Sequence, residues 1–239
     1  MRRTMFFMLL TAVLGCEPES PTSQTVVTPA LESDRSLAEQ VADVRGGKID
    51  RIQLEAQPVS EGDLQSLAQL EKLEVLLLDH PDNRLSQADL TAIASAPNLM
   101  HLRIRGAEID PAGAKQLADM KSLKILNLPQ ANLTDPALAE LTQLDELVQL
   151  RIGGSPRLTD AGLAPLKQFK NLRRVHLIDV PLSEHGLTVF HDMPQLESLY
   201  IDGASLSNEA YDRLFKAQPQ LHVHIDQQHH DRDPHAHAH

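Results

Sequence analysis

The sequence predicts an α/β solenoid of about seven stacked units, with parallel strands on its concave face and helices on its convex face. Three observations predict it. A Leu-x-x-Leu-x-Leu pattern begins at Ile49, Leu73, Leu99, Leu123, Leu147, Leu172 and Leu196, in steps of 24, 26, 24, 24, 25 and 24 residues. A helix-capping residue recurs in phase with it at Ser60, Ser86, Asp110, Thr134, Thr159, Ser183 and Ser207. Hydrophobic residues make up 41% of the 239-residue chain, yet aromatics supply only 3% and Trp is absent. An apolar mass of Leu, Ile, Val and Ala suits small repeated units better than one irregular core.

Within each unit the Leu-x-Leu part alternates in and out, as a short strand must. Leu123, Leu126 and Leu128 are the clearest anchors. Each Ser, Thr or Asp cap offers an oxygen to a free N–H of the first helical turn. Glu61, Asp135, Asp160 and Glu184 follow their caps directly, where the helix dipole favours negative charge. Apolar residues then fall four, seven and ten positions after the cap, as Leu138, Leu141 and Leu144 do after Thr134, and Leu163, Leu166 and Phe169 after Thr159. That spacing is one helix face. Residues 36–44 read as a half-unit helix closing the first strand, and residues 221–225 as a closing strand.

The phrase Leu158-Thr159-Asp160-Ala161-Gly162-Leu163 and the repeat around it resemble the leucine-rich-repeat family, in its helical ribonuclease-inhibitor-like or cysteine-containing branch. The resemblance implies a horseshoe and a binding protein. The family position usually filled by Asn or Cys holds Gln57, Pro81, Ala107, Ala131, Ser155, Val180 and Ala204. No asparagine ladder is therefore expected, and helix packing is left to hold the turns.

Four regions are expected: a signal segment at 1–15, Cys16 with a disordered linker to 35, the repeat domain at 36–226, and a disordered His-rich tail at 227–239. Arg2 and Arg3 precede an apolar run from Met5 to Leu14, too short to span a bilayer as a helix. Val13-Leu14-Gly15-Cys16 resembles a bacterial lipobox, which implies lipidation of Cys16 and anchoring in the cell envelope on the periplasmic side of a membrane. The alternative is an ordinary secretory signal with Cys16 a bystander. Cys16 is the only cysteine, so an intrachain disulfide is excluded.

Strand alternation sends side chains beside the anchors onto the concave face. One column is Arg51, Val75, His101, Ile125, Gln149, Arg174 and Ser198. The next is Gln53, Leu77, Arg103, Asn127, Arg151, His176 and Tyr200, and a third includes Glu55, Asp79, Arg105, Ile178 and Asp202. This face is more basic than a chain of net charge −11 would suggest. His101, Arg103, Arg105, Asn127, Gln149, Arg151, Arg174, His176 and Tyr200 are the candidate site for an acidic or polar protein or peptide partner, since Arg recognises carboxylates through a planar fork of donors. The alternative is a solvated face that only maintains solubility. The overall negative charge disfavours nucleic acid, and a monomer is expected.

Two strand-to-cap loops, at 79–84 and 153–157, are longer than the rest; they mark either a binding face or neutral drift. The tail offers His229, His230, His235, His237 and His239 as ligands for zinc, nickel or copper. Metal sequestration by this tail is the second functional reading. His222 and His224 share a strand face and are read as structural. No Gly-rich phosphate loop, His-Glu-x-x-His or nucleophile elbow occurs, so neither enzyme activity nor a required cofactor is expected.

Overall fold

No single unit can bury its own apolar stripe, and the architecture is the stacking that solves this. The computed structural model describes residues 35–226 and 228–229. Cys16, the segments before residue 35 and the tail ligands His230, His235, His237 and His239 lie outside the described residues. Strands β1 (Arg51–Leu54), β2 (Val75–Leu78), β3 (His101–Ile104), β4 (Ile125–Leu128), β5 (Gln149–Gly153), β6 (Arg174–Ile178), β7 (Ser198–Asp202) and β8 (His222–Ile225) form one parallel sheet in chain order. A two-residue strand, β9 (Gln228–His229), pairs antiparallel with β8 inside the stretch read as tail. Helices α1 (Leu37–Gly46), α2 (Gln87–Ala94), α3 (Pro111–Leu117), α4 (Asp135–Leu141), α5 (Asp160–Leu163), α6 (Glu184–Leu187) and α7 (Asn208–Ala217) lie on the other side.

The register makes the core a set of columns. Ile52, Leu76, Leu102, Leu126, Leu150, Val175, Leu199 and Val223 are successive partners across the sheet, and each is fully buried. Truncating one to alanine would remove about 2–5 kcal/mol. The helix-face residues Leu138, Leu141, Leu163, Leu166 and Phe169 close the core from the convex side.

Both ends are sealed by specific chemistry. Ser36 and Glu39 form a capping box at the start of α1. From α1, the buried Gln40 donates Nε2 to Gln53 O (2.9 Å) and accepts Gln53 N–H at Oε1 (2.8 Å). One side-chain amide thus stands in for the missing strand beside β1. At the far end β9 covers β8, so neither edge is a bare row of backbone groups.

Three expectations need correction. The first unit has no α-helix, only a 3-10 helix at Asp63–Leu67, and Ser60 does not cap it. The reason is Asp89 of the next unit, whose buried carboxylate takes the N–H groups of Gly62 (2.7 Å) and Leu64 (3.0 Å). Burial pushes this carboxyl up, but those bonds and others from Ser86 outweigh it and hold its pKa below the usual value. Thr134 precedes α4 without a side-chain capping bond. α5 gives way after one turn to a 3-10 helix at Ala164–Gln168, where Pro165 has no N–H to continue the α ladder.

The turns are not held by helix packing alone. After the strands a left-handed residue recurs at Gly106, Gln130, Gly154, Asp179 and Gly203. Its N–H donates to the next unit: Gly106 to Pro129 O (3.0 Å), Gln130 to Gly153 O (2.8 Å), Gly154 to Ile178 O (2.9 Å) and Asp179 to Asp202 O (3.0 Å). Gly203 N–H ends the series on Asp226 Oδ1 (3.0 Å). The longer loops add polar staples. Asn83 accepts from Val59 N (2.9 Å) and donates to Leu78 O (3.1 Å) and Arg105 O (3.0 Å), joining three units. Buried Ser155 accepts from Leu133 N (3.1 Å), and Arg157 binds Asn132 O (3.1 Å) while pairing with Glu108.

The Thr-Asp-x-Gly phrase has a steric explanation. Asp135 accepts from the next unit's cap, at Thr159 N (2.8 Å) and Oγ1 (2.6 Å). Asp160 does the same for Ser183, through its N–H (3.0 Å) and its hydroxyl. Each carboxylate lies where the third residue after the next cap would carry its Cβ. A Cβ on Gly162 would sit 1.9 Å from Asp135 Oδ1, and one on Gly186 2.2 Å from Asp160 Oδ1. The unit before α4 has Pro111 in place of the carboxylate, and α4 accordingly tolerates Ala137 at the glycine position. Gly162→Ala is therefore expected to destabilise the fold by about 1–3 kcal/mol in urea unfolding, and most of that cost should vanish in an Asp135→Ala background. Equal costs in both backgrounds would show that the glycine makes room for something else.

Candidate functional site

Eight parallel strands with matched register convert residue spacing into rows on the concave face. Arg103, Asn127, Arg151, His176, Tyr200 and His224 are consecutive register partners across β3 to β8. His101, Ile125, Gln149, Arg174 and Ser198 form the row beside them. All nine candidate residues thus lie on this one face; Arg105 follows β3 directly and donates Nε to Gln130 Oε1 (3.2 Å).

The rows differ from a uniform basic patch. Arg103 is ion-paired through Nε with Asp79, which directly follows the preceding strand β2. His176 Nε2 lies 2.7 Å from Asp202 Oδ2, and burial lowers its pKa; the Asp202 bond opposes that shift and the Arg151 charge adds to it. Burial also lowers the pKa of His101, helped by the nearby Arg51 and Arg103 cations. Both shifts favour the neutral imidazole over the cation.

Arg151 is different. Its Nε is buried with no hydrogen-bond partner among the described residues. Burial first, then the Arg103 cation, lowers its pKa from the usual 12.5, with Asp202 opposing; a guanidinium still stays charged. Its register partner Asn127 is 7% exposed, and Asn127 Oδ1 is likewise buried and unpartnered. A donor and an acceptor without partners stand side by side at the centre of the face. Arg174, one row over, is exposed. Toward the C-terminal end the rings meet: His176 and Tyr200 are tilted at 42° with centroids 5.2 Å apart, and Tyr200 stacks on His224 at 4.2 Å, nearly parallel at 14°.

Sequence reasoning missed three contributors: Asp79, Asp202 and His224. The first two were legible as diagonal neighbours of opposite charge in adjacent columns. His224 was legible once the closing strand was set in register with β7. A cleft of about 630 Å³ lined by Arg174, Tyr200, His222 and His224 opens at this end. A more enclosed cavity of about 610 Å³ lies far away, between α1 and the loop after β1, lined by Leu37, Val41, Leu54 and Pro58. It is a seam of the capping helix and meets the concave columns at Glu55. Among the described residues no group of three or more His, Cys, Asp or Glu side chains is arranged to hold a metal ion.

The lowered histidine pKa values set a pH dependence. The unfolded chain takes up protons at these histidines near pH 6.5, before the folded chain does. Stability is thus fully present above that pH and declines as pH falls from about 6.5 toward the folded values, by at most about 1.4 kcal/mol per pH unit for each histidine. His101 and His176 contribute on the concave face and His191, lowered mainly by burial, on the convex side. Urea unfolding between pH 7.5 and 5 should show this decline, and His176→Gln should reduce its slope. A flat profile would contradict the assignment of neutral, buried imidazoles.

No protein-family model matches the sequence. Solved structures show the fold. Internalin C2 from Listeria monocytogenes aligns with a TM-score of 0.57 at 22% identity, over 82% of this chain and 79% of its own. Human 5T4, also called Wnt-activated inhibitory factor 1 or trophoblast glycoprotein, aligns with a TM-score of 0.55 at 18% identity, over 74% of this chain and 69% of its own. With the stacked strands and convex helices, these similarities establish a leucine-rich-repeat horseshoe.

Proposed function

We propose that this protein is an interaction module that captures an acidic peptide segment of a partner protein on its concave face, with Arg151 as the receiving cation. The observation that carries the reading is the adjacent pair of unpartnered atoms, Arg151 Nε and Asn127 Oδ1. A buried polar atom left without a partner costs about 1–3 kcal/mol. An acidic peptide supplies both missing groups: a carboxylate oxygen for the guanidinium and a main-chain N–H for the amide oxygen. Asp79 and Asp202 neutralise or restrain their neighbours Arg103 and His176, which leaves Arg151 as the strongest call on an incoming anion. Arg105 and Arg174 widen the positive field, and Leu77 with Ile125 offer half-buried apolar contact on the N-terminal side.

The lipobox-like Val13-Leu14-Gly15-Cys16 supports a lipid-anchored position in the cell envelope. No helix of the described residues is long and apolar enough to cross a membrane. The Leu158–Leu163 phrase favours the helical, cysteine-containing branch of the fold.

A peptide array tests the reading, with each Asp- or Glu-containing peptide printed beside its Asn or Gln counterpart. The wild-type domain should prefer the acidic member, and the preference should weaken as salt rises. Arg151→Glu should reduce binding by at least about tenfold, the equivalent of about 1.4 kcal/mol, while Arg174→Glu should cost less. Binding that ignores both the acidic-to-amide exchange and Arg151→Glu would overturn the proposal.

A further inference from the structure

We propose that capture on the concave face is linked to proton uptake at His176, so that the face holds an acidic segment more tightly as pH falls. This rests on the partner-binding reading and adds a regulator to the same site. His176 is the register partner of Arg151 on β5 and of Tyr200 on β7. Neighbouring strands lie about 4.8 Å apart. Both side chains stand on the concave face, so a carboxylate received by Arg151 comes to rest beside the imidazole. His176 is half-buried and already tied to a carboxylate, with its Nε2 2.7 Å from Asp202 Oδ2.

The charges around His176 decide the direction. From β5 it faces the Arg151 cation, and from β7 the Asp202 carboxylate and the Tyr200 ring, with His224 next in the row beyond Tyr200. Arg174 stands two residues back on its own strand. Burial first, then the Arg151 charge, disfavours the imidazolium, while Asp202 favours it. A ligand carboxylate on Arg151 offsets the opposing charge and brings its own negative charge to the ring. An opposite charge within about 4–6 Å favours the charged form. The ligand therefore draws a proton onto His176, and by reciprocity that proton strengthens the hold on the ligand. An Nε2–H donated to Asp202 is kept in both states, and the added proton goes to Nδ1. The gain in affinity is complete below the titration of the free protein and is lost as pH rises through that of the complex. His101 stands outside this linkage. It lies two strands from Arg151, beside Arg51 and Arg103, and the Arg103 charge is already met by Asp79.

The test uses the full chain and one probe, an acetylated and amidated peptide of alternating Asp and Ser, whose carboxylates stay ionised above about pH 5. At constant ionic strength the peptide should bind at least about fivefold more tightly at about pH 5.5 than at about pH 8. His176→Gln should flatten that dependence, and His101→Gln should preserve it. Nuclear magnetic resonance of the histidine rings gives a second readout that needs no ligand: Arg151→Gln should move the His176 titration to higher pH. A peptide that binds at neither pH overturns the partner reading and this one together. Equal binding at both, or a His176 titration indifferent to Arg151→Gln, overturns the proton linkage alone.

Discussion

The C-terminal half of the solenoid depends on a contact that one unit makes with the next at the start of its helix. Asp135 and Asp160 sit in the first turns of α4 and α5, yet both carboxylates accept the backbone N–H and the hydroxyl of the following cap. Two hydrogen bonds from one carboxylate fix both the distance and the rotation between neighbouring units. Hydrophobic burial cannot do this, because it is non-directional and a leucine column tolerates small slides. The glycine three residues after the next cap is the steric consequence. Asp89 makes a longer reach in the opposite direction, to Gly62 and Leu64, and ties in a first unit that has no α-helix of its own. After β3 to β7 a left-handed residue carries the hydrogen bonding to the next unit for one further step. Units are thus pinned at two points, and strand register follows.

Register is what makes the concave face chemical. Because Arg103, Asn127, Arg151 and His176 are consecutive partners, charges that lie tens of residues apart in the chain become neighbours. The molecule is acidic overall, and its concave cations would be expected to find carboxylates. Arg103 does, on Asp79, and His176 is tied to Asp202. Arg151 lies between these two arrangements, too far along the row for Asp79 and reached by Asp202 only as a longer-range attraction. Its unpartnered Nε is a result of that spacing.

Sequence pattern revealed the architecture well and the local chemistry unevenly. The leucine steps identified every parallel strand, because a buried column requires the same residue class at the same phase in each unit. They could not reveal how much of each convex segment is α or 3-10, since Leu163, Leu166 and Phe169 satisfy both geometries. The polar staples were hidden for another reason. Asn83 acts as the turn asparagine but stands two positions later than the family spacing places it, since the longer loop displaces it; Pro81 fills the nominal position. Those loops weld neighbouring units. On the concave face the rows were legible by alternation, whereas ion pairs and neutral histidines depend on diagonal distances and burial, which a list of columns does not contain.

The two ends of the sheet have been closed in different ways, and the difference has functional weight. At β1 a single amide, Gln40, satisfies both groups of Gln53 from a helix that crosses the edge. A partner strand cannot add there without displacing α1. At β8 the cover is two residues of the chain's own backbone, held by few contacts and joined to the histidine-rich segment. Such a cover is weak, because a two-residue strand adds little burial to offset the entropy of ordering it. The two ends are therefore covered differently, and the polar row on the concave face reaches the β8 end at Tyr200 and His224.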